Sequence, residues 1–234
     1  MKVGLMQPYL FPYLGYFQLI NAVDKFVIAD DVQYIRHGWI NRNNIRVMDK
    51  AHVFTFSVKK DSREKNINER FYSDKDFEIV KENLFENVNY SYKKSPYFSE
   101  IYQLLSEIFK YNNLNVAEFN TNSLKILCNY MGIHSDFLVS SSLTKNNELK
   151  RQDFVIEVNR VLGSDCYINS IGGMELYSKK AFEENNLSLK FIKMNDVTYD
   201  QGGKEFIPFL SIIDVLMYNS KDKILDLLNE YTLV

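Results

Sequence analysis

Residues 136–194 decide the fold class: DFLVS (136–140), RQDFVIEVNRVL (151–162), DCYIN (165–169), GMELYSKKAFEE (173–184) and LKFIKM (189–194) follow in that order. Short apolar runs of strand length alternate with two segments of helical length. Strands separated by helices pair in parallel, because a parallel connection needs a crossover long enough to hold a helix. The pattern predicts an α/β fold with a mostly parallel, Rossmann-like sheet and helices on both faces.

The flanking sequence fits that frame. Residues 2–6 and 25–29 are short apolar strands joined through a helix over 15–22, and 52–58 alternates Phe54, Phe56 and Val58 on one face of a further strand. Helical spacing follows over 74–88, 96–111 and 122–131, the last stopping at Gly132. Two closing helices are expected over 210–218 and 222–231. The chain is predicted as one domain, 1–234, with 70–132 as a helical insertion or lid.

Composition excludes several classes. Apolar residues are 46% and charged residues 25% of 234, a globular mixture rather than a disordered one. Lys and Arg number 28 against 30 Asp and Glu, a formal charge of −2 that argues against a general nucleic-acid binder and leaves room for a local basic cleft. Cys128 and Cys166 stand outside any CxxC or Cys/His cluster, so neither a disulfide framework nor a structural zinc is expected. The apolar run before Gln7-Pro8 is too short for a signal peptide, and no run approaches the roughly 20 apolar residues of a membrane span. A soluble cytoplasmic protein without a membrane span is the expectation. The absence of a Walker loop, G-x-G-x-x-G, H-E-x-x-H or kinase signature sets aside an ATPase, a dehydrogenase and a zinc protease.

Open parallel sheets bind ligands beyond the carboxyl ends of their strands. The candidate segments are therefore 7–16, 30–43, 170–173 and 195–203. In the first, Pro8 and Pro12 stiffen a loop that presents Gln7, Tyr9 and Tyr13, whose rings suit stacking on a base or sugar; a proline-ordered turn is the plainer reading. Asp30 and Asp31 point to opposite sides of an extended chain and do not share a proton. One would face the cleft as a base, metal ligand or ribose acceptor, or both would serve a turn. No metal site is expected. Arg36, His37, Asn41, Arg42 and Asn43 gather donors around Tyr34 and Trp39, which suits a phosphate or diphosphate-sugar. His37 could act as a base, although a lone loop histidine is more often solvated or a simple hydrogen-bond donor. Ser170, Gly172 and Gly173 precede an expected helix whose free amides would suit an anion, or they form a tight turn.

MQPYLFPYLGYFQLI (6–20) and DKFVIADDVQYIRHGWINRNNIR (24–46), with YINSIGGMELY (167–177) and PFLSIIDVLMYN (208–219), together resemble the WbqC-like family nearly end to end. Many members begin with His-Gln-Pro, where this chain has Met6-Gln7-Pro8, so no histidine role carries over there. The resemblance implies a cytoplasmic bacterial transferase of O-antigen and lipopolysaccharide biosynthesis. It would N-acylate a nucleotide-linked amino sugar, with a glycyl or other aminoacyl group as candidate. No tightly bound cofactor is implied: the donor would be coenzyme A or a carrier-protein thioester, the partners a nucleotide sugar and an acyl carrier protein, and an oligomer is compatible. Asp30, Asp31 or His37 would be the base. Asn41, Asn43 or the amides near Gly172 and Gly173 would hold the oxyanion, Arg36 and Arg42 the diphosphate, and Tyr9, Tyr13 or Trp39 the ring. Two alternatives stand beside it: another sugar-nucleotide enzyme such as a glycosyltransferase, disfavoured by the missing D-x-D spacing, and a non-catalytic assembly partner.

Overall fold

The computed structural model describes residues 1–203 and 205–234. In chain order the elements are β1 (Lys2–Met6), α1 (Leu14–Asn21), β2 (Lys25–Ile28), a hairpin of β3 (Arg42–Val47) and β4 (Lys50–Thr55), then α2 (Asp74–Tyr92), α3 (Phe98–Ile108) and α4 (Val116–Met131). There follow β5 (Asp136–Val139), α5 (Arg151–Leu162), β6 (Cys166–Ser170), α6 (Lys179–Glu183), β7 (Ser188–Met194), α7 (Ile212–Tyr218), α8 (Lys221–Leu228) and β8 (Tyr231–Leu233).

The main sheet has the order β5-β2-β1-β6-β7-β8, with β3 and β4 apart from it. Pairing is parallel except where β8 runs antiparallel to β7. Counting only the strands of this sheet along the chain, the order is 3-2-1-4-5-6, which is consistent with the Rossmann-like expectation. Alternation along each strand sends side chains to two faces. Val3, Leu5, Val27, Tyr167, Leu189 and Phe191 pack with Phe154, Val155 and Val158 of α5 and Phe182 of α6. Phe26, Ile28, Ile168 and Ile192 face the other way, into a core shared with α1, α4, α7 and α8. α1 buries seven residues in succession, Leu14 to Ile20, which is why its sequence lacks a polar stripe.

Segment 70–132 holds α2, α3 and α4. Leu124, Leu127, Cys128 and Met131 of α4 belong to the same core as the sheet. Phe77 of α2 packs on Phe56, which continues from β4, with ring centroids 5.0 Å apart. The cap residues explain the limits of α4. Asn115 accepts a hydrogen bond from the Glu118 amide at 3.2 Å, and Gly132 ends the helix at φ 74°.

Four expectations need correction. The helix expected from 122 begins at Val116, because the Asn115 cap lies about two turns earlier. Arg42 and Asn43 open strand β3 instead of extending a loop; the strand reads RNNIRV, and its polar residues disguise a half-buried pattern. The helix expected over 173–184 divides into a 3-10 turn, Ile171–Leu176, and the short α6, so no long helix begins at the paired glycines. The last helix stops at Leu228, and the chain returns as β8. Among the described residues no helix is long and apolar enough to cross a membrane.

Candidate functional site

The segment after β2 runs beside the segment that precedes α2. The Tyr34 amide donates to the Lys65 carbonyl at 3.1 Å, the Ile67 amide to Val32 at 3.0 Å and the Asn68 amide to Asp30 at 2.9 Å. Two clefts draw on this paired strip. One takes Asp30, Asn68 and Glu69 from it, and the other takes Tyr34 and Arg70.

The basic cleft has a volume of about 370 Å³ and is lined by Tyr34, Arg36, His37, Asn41, Arg42, Thr55, Val58, Lys59, Lys60 and Arg70. Five of these are Lys or Arg, one is His, and none is a carboxylate. Arg70 is only 3% exposed, yet its Nε has no hydrogen-bond partner among the described residues. Its Nη1 donates to the Ser62 carbonyl at 3.0 Å, and its guanidinium lies 5.0 Å from the centre of the Tyr34 ring. Arg42 lies 5.4 Å from the Trp39 ring and donates to the carbonyls of Gly38 and His37. His37 itself sits in the left-handed region at φ 62°, which histidine tolerates better than most residues. Burial pushes the Tyr34 hydroxyl above its ordinary pKa, against the opposing pull of Arg70, Arg36 and Arg42. That hydroxyl donates to Asn41 Oδ1 at 3.0 Å, and Asn41 Nδ2 donates to the Phe56 carbonyl at 2.7 Å, so Asn41 braces the wall.

The acidic cleft, about 610 Å³, lies beyond the carboxyl ends of β2 and β5. Asp30, Asn68, Glu69, Tyr111, Ala117, Glu118, Thr121, Asn122, Lys125, Val139 and Ser141 line it. Asp30 Oδ1 accepts from the Ser141 amide at 2.9 Å, while Oδ2 accepts from Ser141 Oγ at 2.6 Å and Asn68 Nδ2 at 3.0 Å. Asp31 is not among the residues that line this cleft and pairs instead with Lys145 Nζ at 2.5 Å. Glu118 Oε2 receives Asn113 Nδ2 at 2.6 Å, and Glu69 Oε2 receives the Asn66 amide at 2.9 Å.

Of the sequence-predicted residues, Tyr34, Arg36, His37, Asn41 and Arg42 meet in the basic cleft and Asp30 lines the acidic one. Trp39 is 45% exposed and lies against Arg42, outside the set of residues that lines the basic cleft. Asn43 points elsewhere: its Nδ2 donates to the carbonyls of Leu10 and Phe11 at 3.3 and 2.9 Å. The Gln7 carbonyl accepts from Tyr16, and Tyr9 packs against the same ring. Tyr13 borders a narrow apolar crevice with Tyr199 and Phe209. Ser170, Gly172 and Gly173 line none of these three spaces. Gly173 is pressed on Asn169, whose Nδ2 lies 2.6 Å from where a Cβ would stand.

Sequence reading missed Lys59, Lys60 and Arg70 in the basic cleft, and Glu69, Glu118, Thr121 and Lys125 in the acidic one. The Lys59-Lys60 pair just past a strand was the one available signal. It also missed a buried network. Asp214 receives Tyr199 at 2.7 Å, Tyr92 at 2.9 Å and Gln201 Nε2 at 2.9 Å, while Arg46 Nη1 donates to Gln201 Oε1 at 3.2 Å. Burial pushes the Asp214 carboxyl up, against these hydrogen bonds and the nearby Arg46 charge.

No solved structure matches the chain. The uncharacterized protein Rv1507c of Mycobacterium tuberculosis is 26% identical over 218 residues, covering 92% of each chain. The model of the WbqC-like protein family matches residues 7–225, nearly the whole length, and the chain belongs to that family.

Proposed function

We propose that this protein is a cytoplasmic N-acyltransferase of bacterial surface-polysaccharide biosynthesis, of the O-antigen and lipopolysaccharide kind. Its acceptor is a nucleotide-linked amino sugar, and its donor an aminoacyl or other acyl thioester on coenzyme A or a carrier protein. The observation that supports this reading is the basic cleft. A chain of formal charge −2 concentrates five Lys and Arg side chains around one concavity that no carboxylate lines. Guanidinium groups match phosphate oxygens in geometry as well as charge, and a diphosphate is the compact dianion such a set accommodates. The free Nε of buried Arg70 supplies a donor already stripped of water. Exposed Trp39, beside Arg42, gives a ring or base a surface to stack on.

On this reading the sugar amine attacks the thioester carbonyl, forming the C–N bond as the C–S bond breaks. The amine proton passes to a base and the thiolate leaves, to be protonated. His37, which lines the basic cleft, is the base for an amine held there, and Asp30 is the base for one held across the strip. Asn41 keeps the cleft in shape while Arg70 faces the developing charge.

Thermal unfolding with UDP- and dTDP-linked amino sugars, the parent nucleotides and coenzyme A tests the reading. Ligand at a hundredfold excess over its Kd adds about 2.7 kcal/mol. For a chain of this size the midpoint then rises by roughly 2–4 °C. Trp39 is the single tryptophan, so its emission reports occupancy of the cleft. The shift is expected to shrink in Lys59→Gln/Lys60→Gln. Flat curves and constant emission across the panel overturn the reading.

A further inference from the structure

We propose that the acidic cleft is a binding site for a primary ammonium group, and that the ammonium it takes is that of the sugar whose diphosphate occupies the basic cleft. The identity of the sugar rests on the function proposed above; the ammonium site itself does not. Asp30, Glu69 and Glu118 line this cleft against one cation, Lys125. Their free acceptor positions are countable. The Asp30 carboxylate offers about four lone-pair sites and uses three; Glu69 and Glu118 each accept through Oε2, and Oε1 of each has no partner among the described residues. An independent observation points to a ligand as well. Thr121 is 8% exposed, lines the cleft, and its hydroxyl makes no hydrogen bond among the described residues. An ammonium brings three donors and no acceptor, which complements carboxylate oxygens and a hydroxyl lone pair.

Consecutive residues of one segment serve both clefts. Asn68 and Glu69 line the acidic one and Arg70 the basic one, and consecutive Cα atoms are about 3.8 Å apart. A ligand with a diphosphate and an amine on the sugar it carries matches that change of sign along three residues. A neutral or N-acylated sugar gives the carboxylates nothing to bind, so the site separates unreacted acceptor from acylated product.

The test is titration of the full chain with glucosamine and N-acetylglucosamine, and with their UDP-linked forms. Wild type is expected to bind each free-amine form at least tenfold tighter than its acetylated counterpart. Glu69→Gln/Glu118→Gln, which retains the oxygen each capping and loop contact uses, should abolish that ratio without weakening UDP itself. Thr121→Val should reduce it with an unchanged unfolding midpoint. Equal affinity for amine and amide forms, or a preference that survives in the double variant, overturns the proposal. Preference for free glucosamine without any UDP affinity would retain the ammonium site and discard the diphosphate reading. UDP affinity without amine preference would do the reverse.

Discussion

Asn43 was expected to touch the reacting atoms, and its side chain is instead committed to the loop between β1 and α1. Its Nδ2 donates to two buried carbonyls, Leu10 and Phe11, and its Oδ1 accepts from the Asn44 amide at 2.9 Å. Phe11 sits at φ 45°, a left-handed conformation that costs a bulky residue about 1–3 kcal/mol. It persists because Asn43 and Ser211 Oγ, at 2.8 Å, both hold its carbonyl, while its ring packs on Phe54 and Phe109. Asn43→Ala removes the donor to Leu10 and half the support of Phe11, at an expected cost of about 2–3 kcal/mol. Asn43→Asp should be worse, since a carboxylate turned toward carbonyls offers only acceptors. Urea unfolding orders the three proteins; wild-type stability in the Ala variant would show that the loop holds without this residue.

Lys145 shows what joins neighbouring strand ends. Its side chain is 1% exposed and gives Nζ to Asp31 at 2.5 Å, the Ser140 carbonyl at 2.8 Å and Asn147 at 3.2 Å, so the turn after β5 is tied to the turn after β2. Removing one partner strands a charge: Lys145→Ala should cost about 3–5 kcal/mol, whereas Lys145→Met with Asp31→Leu should recover most of it. A double-mutant cycle in urea reads the coupling, and additive losses would mean that the two charges do not depend on each other. The alternation of 136–194 disclosed the parallel sheet because each apolar strand is bounded by turn residues. Strand β3 escaped because RNNIRV carries its charges and amides on a strand, with Asn43 and Ile45 buried among them. The clefts were half readable for the same reason. Residues 34–42 are neighbours in sequence, while Lys59, Lys60 and Arg70 reach them through the hairpin and the strip at 65–68, contacts that no local pattern encodes.

The network around Asp214 joins distant parts of the molecule: Arg46 on β3, Tyr92 on α2, Asp214 on α7 and the segment holding Tyr199 and Gln201. The backbone at Gly203 passes so close that a Cβ there would lie 1.5 Å from Arg46 Nη2, so a side chain at this position has to push the guanidinium off its partners Asp49, Gln201 and the Glu205 carbonyl. The same closeness gives the whole fold a pH dependence. Burial raises the Asp214 carboxyl above its ordinary 3.8, so over the interval above 3.8 the native state binds a proton that the unfolded chain has released. The slope of unfolding free energy with pH follows protons bound unfolded minus native, and here it is negative. Stability from this group therefore falls as pH rises from 3.8 through the raised native value, and is level above it. Asp61, Asp165 and Glu157 are lowered by hydrogen-bonded ion pairs, so their contribution has the opposite sign and disappears in acid as they protonate. Comparison with Asp214→Asn cancels those common groups. The stability of wild type relative to the Asn variant should grow as pH is lowered through the interval and stay constant above it. Urea unfolding of both proteins in steps from pH 7 to about pH 4 measures the difference. Parallel curves would mean that Asp214 stays ionised throughout, and that the Tyr92, Tyr199 and Gln201 donors outweigh its burial.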